Sequence, residues 1–434
     1  MLGADGTERD EGPRQMSSTL STVVKQIGPS VMLPMLVYEI GHGAVMPVIA
    51  LVALDAGAST TVAGLMLAAI GIGTILGDIP AAWLANRVGE KGAMLVAMLA
   101  SAVAMLSVLV TDSVAALAVA LLVLGACGAT MHLARQSYVA DVVAVHHRAR
   151  AMSTLGGVFR IGLFIGPFVG AGVISIWGTR SAFAVAVVAS LVAAVILLLA
   201  PVEATGSAAR TGAAGHGPVG VREMFRRNRR LFLTLGIAVA SIGAIRAARV
   251  AVIPLWAEHI GLDATTTSLI FGIANFVDMA LFYPSGHVMD KLGRLWIAVP
   301  CMVILGLGTL ALPLSDSAVS LTAIAMVMAF GNGIGSGIVM TLGADTSPET
   351  DRRSFLAVFR LINDVGTSLG PVVPAAIATV ATLGVGIAVM GGVGLLGAAG
   401  LARWVPKYST YATRAMVRDH HRRLAEERNA VTGG

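Results

Sequence analysis

Charged residues are scarce: Asp, Glu, Lys and Arg make up 12% of the 434 residues, against roughly a quarter in a soluble globular domain. Beside a hydrophobic fraction of 56%, that deficit excludes a water-soluble fold and points to a chain solvated by lipid. Cysteine is nearly absent too. Cys127 and Cys301 fall inside apolar runs, where a thiol packs as a small hydrophobe, so no disulfide is expected. His, Cys, Asp and Glu nowhere gather at metal-ligand spacing, and His420-His421 stand too isolated to form a site. No nucleophile sits near a base and an acid, so the sequence reads as no enzyme, without cofactor or metal. The net charge of +6 would suit a nucleic-acid partner, but its carriers crowd into short loops and both tails. The partner implied is a lipid bilayer and no nucleic acid.

What is there is a succession of apolar runs of about twenty residues, the length that crosses a hydrocarbon core about 30 Å thick. They lie near 31–54, 61–84, 93–111, 114–139, 152–177, 181–200, 231–257, 264–288, 295–313, 319–343, 355–380 and 383–403. The expected fold class is an all-α membrane protein with twelve transmembrane helices in two six-helix bundles, residues 29–200 and 230–404. Residues 1–28 read as a polar tail without the basic end and short apolar core of a signal peptide. Residues 201–229 form a linker ending in Arg226-Arg227-Asn228-Arg229, and 405–434 a basic tail. Arg87, Lys91, Arg148, Arg150, Lys291, Arg294, Arg352 and Arg353 fall on the linker's side. The opposite loops hold Asp55, Asp112, Glu258, Asp263 and Asp316, with Arg180 their one clear cation. By the positive-inside rule both termini are expected to be cytoplasmic, and the expected location is the cell (inner) membrane.

The two halves repeat. Ala82-Trp83-Leu84-Ala85-Asn86-Arg87-Val88-Gly89 is echoed by Gly286-His287-Val288-Met289-Asp290-Lys291-Leu292-Gly293 at an offset of 286 − 82 = 204. Asp141 and Asp345, Gly162 and Gly366, and Gly166-Pro167 and Gly370-Pro371 keep the same interval. One offset without a gap over some eighty residues marks a duplicated unit.

With twelve spans, a central linker and Gly286-x-x-x-Asp290-Lys291-x-Gly293-Arg294 between spans 8 and 9, the chain resembles the major facilitator superfamily. Span 5 adds Gly162-x-x-x-Gly166-Pro167-x-x-Gly170, which resembles the helix-packing motif of that family's twelve-span drug:proton antiporter branch. The resemblance implies a charged latch on the cytoplasmic loops, with Arg87, Lys91 and Asp141 in one half and Asp290, Arg294 and Asp345 in the other. Asn86, Glu90 and Ala82 depart from the pattern, as does Leu121 where the family carries an arginine. The resemblance also implies a monomer.

Ionisable groups at membrane depth cost several kcal/mol and therefore face a cavity or a partner. Asp78 and Asp278 stand 200 apart, as do Arg160 and Arg360. In the resembled fold spans 2 and 11, and 5 and 8, meet between the halves. Asp78–Arg360 and Asp278–Arg160 are therefore expected as an inter-half gate, closing the cytoplasmic side of an outward-facing state. Glu39 lies mid-span with no basic residue within a helical turn. Desolvation disfavours the charged form of such a carboxyl, as a proton carrier requires. Asp364, one turn above Arg360, is the second candidate. His42, Arg246, Arg249 and Asn332 are candidates for the substrate cavity, Arg246 and Arg249 serving an anionic group or a nearby carboxylate. Gly331-Asn-Gly-Ile-Gly-Ser-Gly337 has no strand before it and no Lys-Ser/Thr after it, so it reads as close helix packing and not as a phosphate loop.

The function expected is secondary transport by alternating access, most simply proton-coupled efflux of small amphipathic or hydrophobic compounds. The partners are then a small-molecule substrate and protons. Import of a small, anionic metabolite, and a non-transporting sensor or lipid translocator, stand as alternatives.

Overall fold

The computed structural model describes residues 28–143, 145–200, 221–348, 351–419 and 422. They are helical throughout, without a strand among them. Eleven segments are long and apolar enough to cross a membrane. In the first half these are α1 (Ser30–Asp55), α2 (Thr60–Val110), α3 (Val114–Val139), α4 (Ala151–Trp177) and α5 (Ser181–Leu199). In the second they are α6 (Arg229–His259), α7 (Ala264–Met289), α8 (Leu295–Leu314), α9 (Ala318–Thr346), α10 (Ser354–Ile377) and α11 (Leu383–Tyr408).

The 51 residues of α2 would measure about 76 Å as one straight helix at 1.5 Å per residue, more than twice a bilayer core. Its helical geometry breaks at Gly89 (φ 78°, ψ 169°), a conformation that a residue without Cβ adopts at little cost. Gly293, its counterpart at the repeat offset, ends α7 with φ 97°. The same offset recurs in features of the backbone that the sequence pattern did not disclose. π turns occupy Gly28–Met32 and Phe232–Gly236. The caps that open α2 and α7 are Ser59 and Asp263, and those that open α3 and α9 are Ser113 and Ser317. In each, a side-chain oxygen accepts from a backbone N–H three residues on, which satisfies one orphan donor of the first turn.

The Asp263 cap carries a testable pH dependence. The Thr266 backbone N–H holds its carboxyl below the usual aspartate range, so its contribution is present above the unfolded pKa and lost as pH falls through the folded one. Asp263→Ala should cost about 1 kcal/mol near neutrality. In thermal unfolding of detergent-solubilised protein, the gap to the native chain should shrink on acidification.

Packing follows the duplication. α1 lies on α4 and α5, α6 lies on α10 and α11, and each half is closed further by α2 on α3 or α7 on α9. The span-5 motif explains the first contact: Gly162, Gly166 and Gly170 face α1, and a Cβ on Gly166 would overlap the Ile40 carbonyl. Gly370, its repeat counterpart, meets the Ala244 carbonyl of α6 in the same way. Pro167 lies inside α4, within this motif. The halves meet through α4 with α7 and α2 with α10. At the end carrying the acidic loops they pack tightly, with Gly64 of α2 against Ala375 of α10 and Leu255 of α6. Cys127 and Cys301 are buried thiols.

One expectation is corrected. The glycine run at 331–337 packs closely as expected at Gly331 and Gly335, which meet α8, and at Gly333, which meets the Asp278 backbone, but it does not stay helical. From Gly335 the helix breaks into turns and restarts after Gly337, which is left-handed at φ 80°.

Candidate functional site

A cavity of about 850 Å³ lies between the halves. The first half contributes His132 and Gln136 from α3 and Phe159, Arg160 and Leu163 from α4. The second contributes Arg246 and Arg249 from α6, Asp278 from α7, Asn332 from α9, and Arg360 and Asp364 from α10. Four guanidinium groups thus face two carboxylates across a wall otherwise rich in apolar side chains. At membrane depth each of these charges needs a partner or water.

Around α7 the charges are joined across the halves. Arg160 reaches Asp278 at 3.9 Å, donates to Ser336 Oγ at 2.6 Å and lies over the Phe282 ring at 4.5 Å. Asn332 donates to the other Asp278 oxygen at 2.6 Å. Arg246 donates to the Gly335 carbonyl at 2.6 Å. The Gly335 carbonyl lies in the turn where α9 breaks and also accepts from the Ile338 N–H at 3.2 Å. Arg249, only 7% exposed, has no hydrogen bond or ion pair among the described residues, and its Nε is buried without a partner.

Nearer the basic-loop end, Arg360 stands between two acids: Asp78 of α2 at 4.0 Å and Asp364 at 3.5 Å. Asn363 also donates to Asp364 at 3.3 Å. Both inter-half pairs named from the sequence therefore lie at contact distance, but so do the halves at the acidic-loop end. The expectation tied the pairs to a state open at that end; here that end is packed shut, while Arg360 and Asp78 toward the basic loops stay 45% and 42% exposed.

Two sequence candidates fall elsewhere. His42 faces a void of about 10 Å³ inside the first half, with Tyr38 and Met105, and does not line the central cavity. Glu39 is buried behind Gly162, at 6% exposure, and is also off the cavity wall. It lies in the electrostatic field of Arg135 of α3, a cation far from it in sequence. Arg135 itself donates to His132 Nδ1 at 2.7 Å and to Met35 Sδ at 3.3 Å.

Two of the loop residues named for the second half come together. Arg294 donates to Asp345 at 2.9 Å with both side chains buried. Ser409 donates to the same carboxylate at 3.1 Å, and the backbone N–H groups of Arg294 and Leu295 donate to the carbonyls of Tyr411 and Ala412. In the first half Arg87 stacks on Trp83 at 5.0 Å and Lys91 caps the Ala200 carbonyl at 2.7 Å. The side chains of Asp141 and Asp290 lie outside the described part of the structure, as do His420 and His421.

Gly335 and Ser336, with Gln136 and Asn275 on the wall, were not anticipated. Four alternate glycines from 331 to 337 were the available signal, since each costs a helix about 1 kcal/mol relative to alanine.

Comparison with known proteins accords with this geometry. The family model described as Major Facilitator Superfamily matches residues 31–277 and 235–426. An uncharacterized MFS-type transporter of Methanocaldococcus jannaschii is 21% identical over 340 residues, 77% of this chain and 86% of that one. Among solved structures, a POT family transporter superposes with a TM-score of 0.73 at 12% identity, covering 90% of this chain and 99% of its own. A D-xylose-proton symporter gives 0.68 at 15%, covering 88% and 98%, and the nucleoside transporter NupG 0.69 at 13%, covering 86% and 98%. At these identities the likeness to the solved structures is one of fold.

Proposed function

Since the chain belongs to the major facilitator superfamily, we propose that it is a twelve-crossing secondary transporter that exports small amphipathic compounds by alternating access, coupled to proton entry. The observation that carries this reading is the cavity between the halves, apolar at Phe159, Leu163, Val250, Met340 and Phe359 and charged along α6, α7 and α10. The break at Gly89 divides α2 into two crossings. Both termini are cytoplasmic in the cell membrane, following the distribution of Lys and Arg. The cavity is complete within one chain, so a monomer suffices.

Asp364 is the favoured proton carrier because it lines the cavity and shares Arg360 with Asp78. Protonating Asp364 removes one of the two claims on Arg360 and leaves the guanidinium to Asp78, drawing the halves together at the cytoplasmic end. Releasing the proton divides Arg360 between its acids again and loosens that closure. Glu39, off the cavity, is the second carrier. The shared fold of a D-xylose-proton symporter supports reading a proton-coupled cycle here.

The test is flux of a fluorescent amphipathic dye in liposomes under an imposed proton gradient. Asp364→Asn should cut the gradient-driven component at least tenfold while leaving downhill exchange in place. Persistence of the driven component in Asp364→Asn with loss in Glu39→Gln would transfer the role to Glu39. If neither substitution changes a driven flux, the coupling scheme is wrong.

A further inference from the structure

We infer that the central cavity takes its cargo by an anionic group, anchored on Arg249 with Arg160 and Arg246 beside it, so that the substrates are amphipathic organic anions. The inference rests on the transport reading and narrows it.

Arg249 carries the argument. It is more than nine-tenths buried, lines the cavity, and has neither hydrogen bond nor ion pair among the described residues. Its two neighbours are only partly satisfied. Arg160 and Arg246 give nitrogens to neutral acceptors, Ser336 Oγ and the Gly335 carbonyl, and the Nε of each is buried without a partner. The carboxylate in the field of Arg160 and Arg249 is Asp278, and one of its oxygens is taken by Asn332. Three guanidinium groups against one carboxylate leave two positive charges without protein compensation at membrane depth.

An unpaired buried charge is strongly destabilising, so a site kept this way is one that something else completes. A planar oxyanion matches the guanidinium fork and can take two donors at once. The apolar part of the wall, Phe159, Leu163, Val250 and Phe359, suits the hydrocarbon body of an organic anion better than a bare inorganic ion. A cationic compound of the same shape would meet like charge, which selects against it.

The test needs no natural substrate. Ala247, on the cavity wall beside Arg246, is replaced (Ala247→Cys) in the full chain reconstituted in liposomes. The parent protein, whose two cysteines are buried, serves as blank. Modification rates are compared for anionic 2-sulfonatoethyl methanethiosulfonate and cationic 2-(trimethylammonium)ethyl methanethiosulfonate, each normalised to its rate with a free thiol. The anionic reagent should be favoured about tenfold or more. Arg249→Gln should reduce that preference several-fold, while Arg249→Lys retains most of it. Naphthalene-1-sulfonate should protect the cysteine where naphthalene-1-sulfonamide and sodium sulfate do not, and Arg249→Gln should abolish the protection. Because Arg249→Gln removes an unpaired buried charge, it should not lower the thermal unfolding midpoint.

Equal rates for the two reagents, or a preference untouched by Arg249→Gln, would overturn the anion site. Protection by sulfate equal to that by naphthalene-1-sulfonate would overturn its organic selectivity. The transport reading fails separately. Access to position 247 from one side only under every gradient sinks alternating access while a surviving charge preference keeps the anion site. Access from both sides without charge preference does the reverse.

Discussion

Reversing Arg160 alone (Arg160→Asp) is expected to part the halves further at the basic-loop end of the cavity, and adding Asp278→Arg is expected to draw them together again. Arg160 and Asp278 lie 3.9 Å apart with side chains 19% and 12% exposed. Breaking a well-buried pair costs roughly 3–5 kcal/mol; the long separation places this one at the lower end. A shift of about 3 kcal/mol moves a two-state equilibrium on the order of a hundredfold. Reactivity at Ala247→Cys toward an impermeant thiol reagent added from the basic-loop side reads it directly. The companion pair differs. Arg360 and Asp78 are 4.0 Å apart and 45% and 42% exposed, so solvent screens them and the charge swap there should be worth under about 1 kcal/mol. A double reversal at 160 and 278 that leaves reactivity as high as Arg160→Asp alone removes the gate from the account.

The second large effect is expected at the loop latch. Arg294→Ala leaves the Asp345 carboxylate, with 9% side-chain exposure, with only the Ser409 hydroxyl at 3.1 Å of the partners described for it. The expected loss is about 3–5 kcal/mol, read as a large fall in thermal unfolding midpoint in detergent. The damage should spread along the chain, since Arg294 also lies over the Tyr411 ring at 5.1 Å and the turn after Gly293 pairs by backbone with Tyr411 and Ala412. Limited proteolysis near residues 409–419 should therefore accelerate. Arg87→Ala is the comparison: its contact among the described residues is a stacking on Trp83, worth about 0.5–1 kcal/mol at an exposed site. Equal losses at Arg87 and Arg294 would mean that the latch is not confined to the second half.

The apolar helices (eleven long segments where twelve runs were read, Thr60–Val110 covering two of them), the duplication and the two facing acid–base pairs were legible because each depends on spacing along one chain. Apolar run length reports a crossing, and two acids and two arginines each 200 apart report one helix face carried through the repeat. What spacing does not report is which neighbour a face meets. Glu39 and His42 share a span with polar character, yet α4 and the interior of the first half, not the cavity, receive them. Arg135 enters the surroundings of Glu39 from another helix, which no count along α1 could anticipate. The break in α9 was missed because glycines at close intervals serve both intimate packing and helix termination, and Gly331 does the first while Gly337 does the second. Backbone irregularities at the repeat offset, such as Gly89 with Gly293 and Ser59 with Asp263, outlasted side-chain similarity: the counterpart of Arg160 is Asp364, and that of His42 is Arg246.

The cavity wall is unevenly shared. Arg246, Arg249, Asp278, Asn332, Arg360 and Asp364 all belong to the second half, whereas the first offers one charged group, Arg160, among His132, Gln136 and apolar surface. When two such bodies roll against each other, a passenger stays with the body that holds it. On the proposed alternating-access cycle the second half is the cradle and the first a hatch that swings over it, so slowing the passenger's release is a matter for α6, α7 and α10, and slowing the swing a matter for α2 and α4.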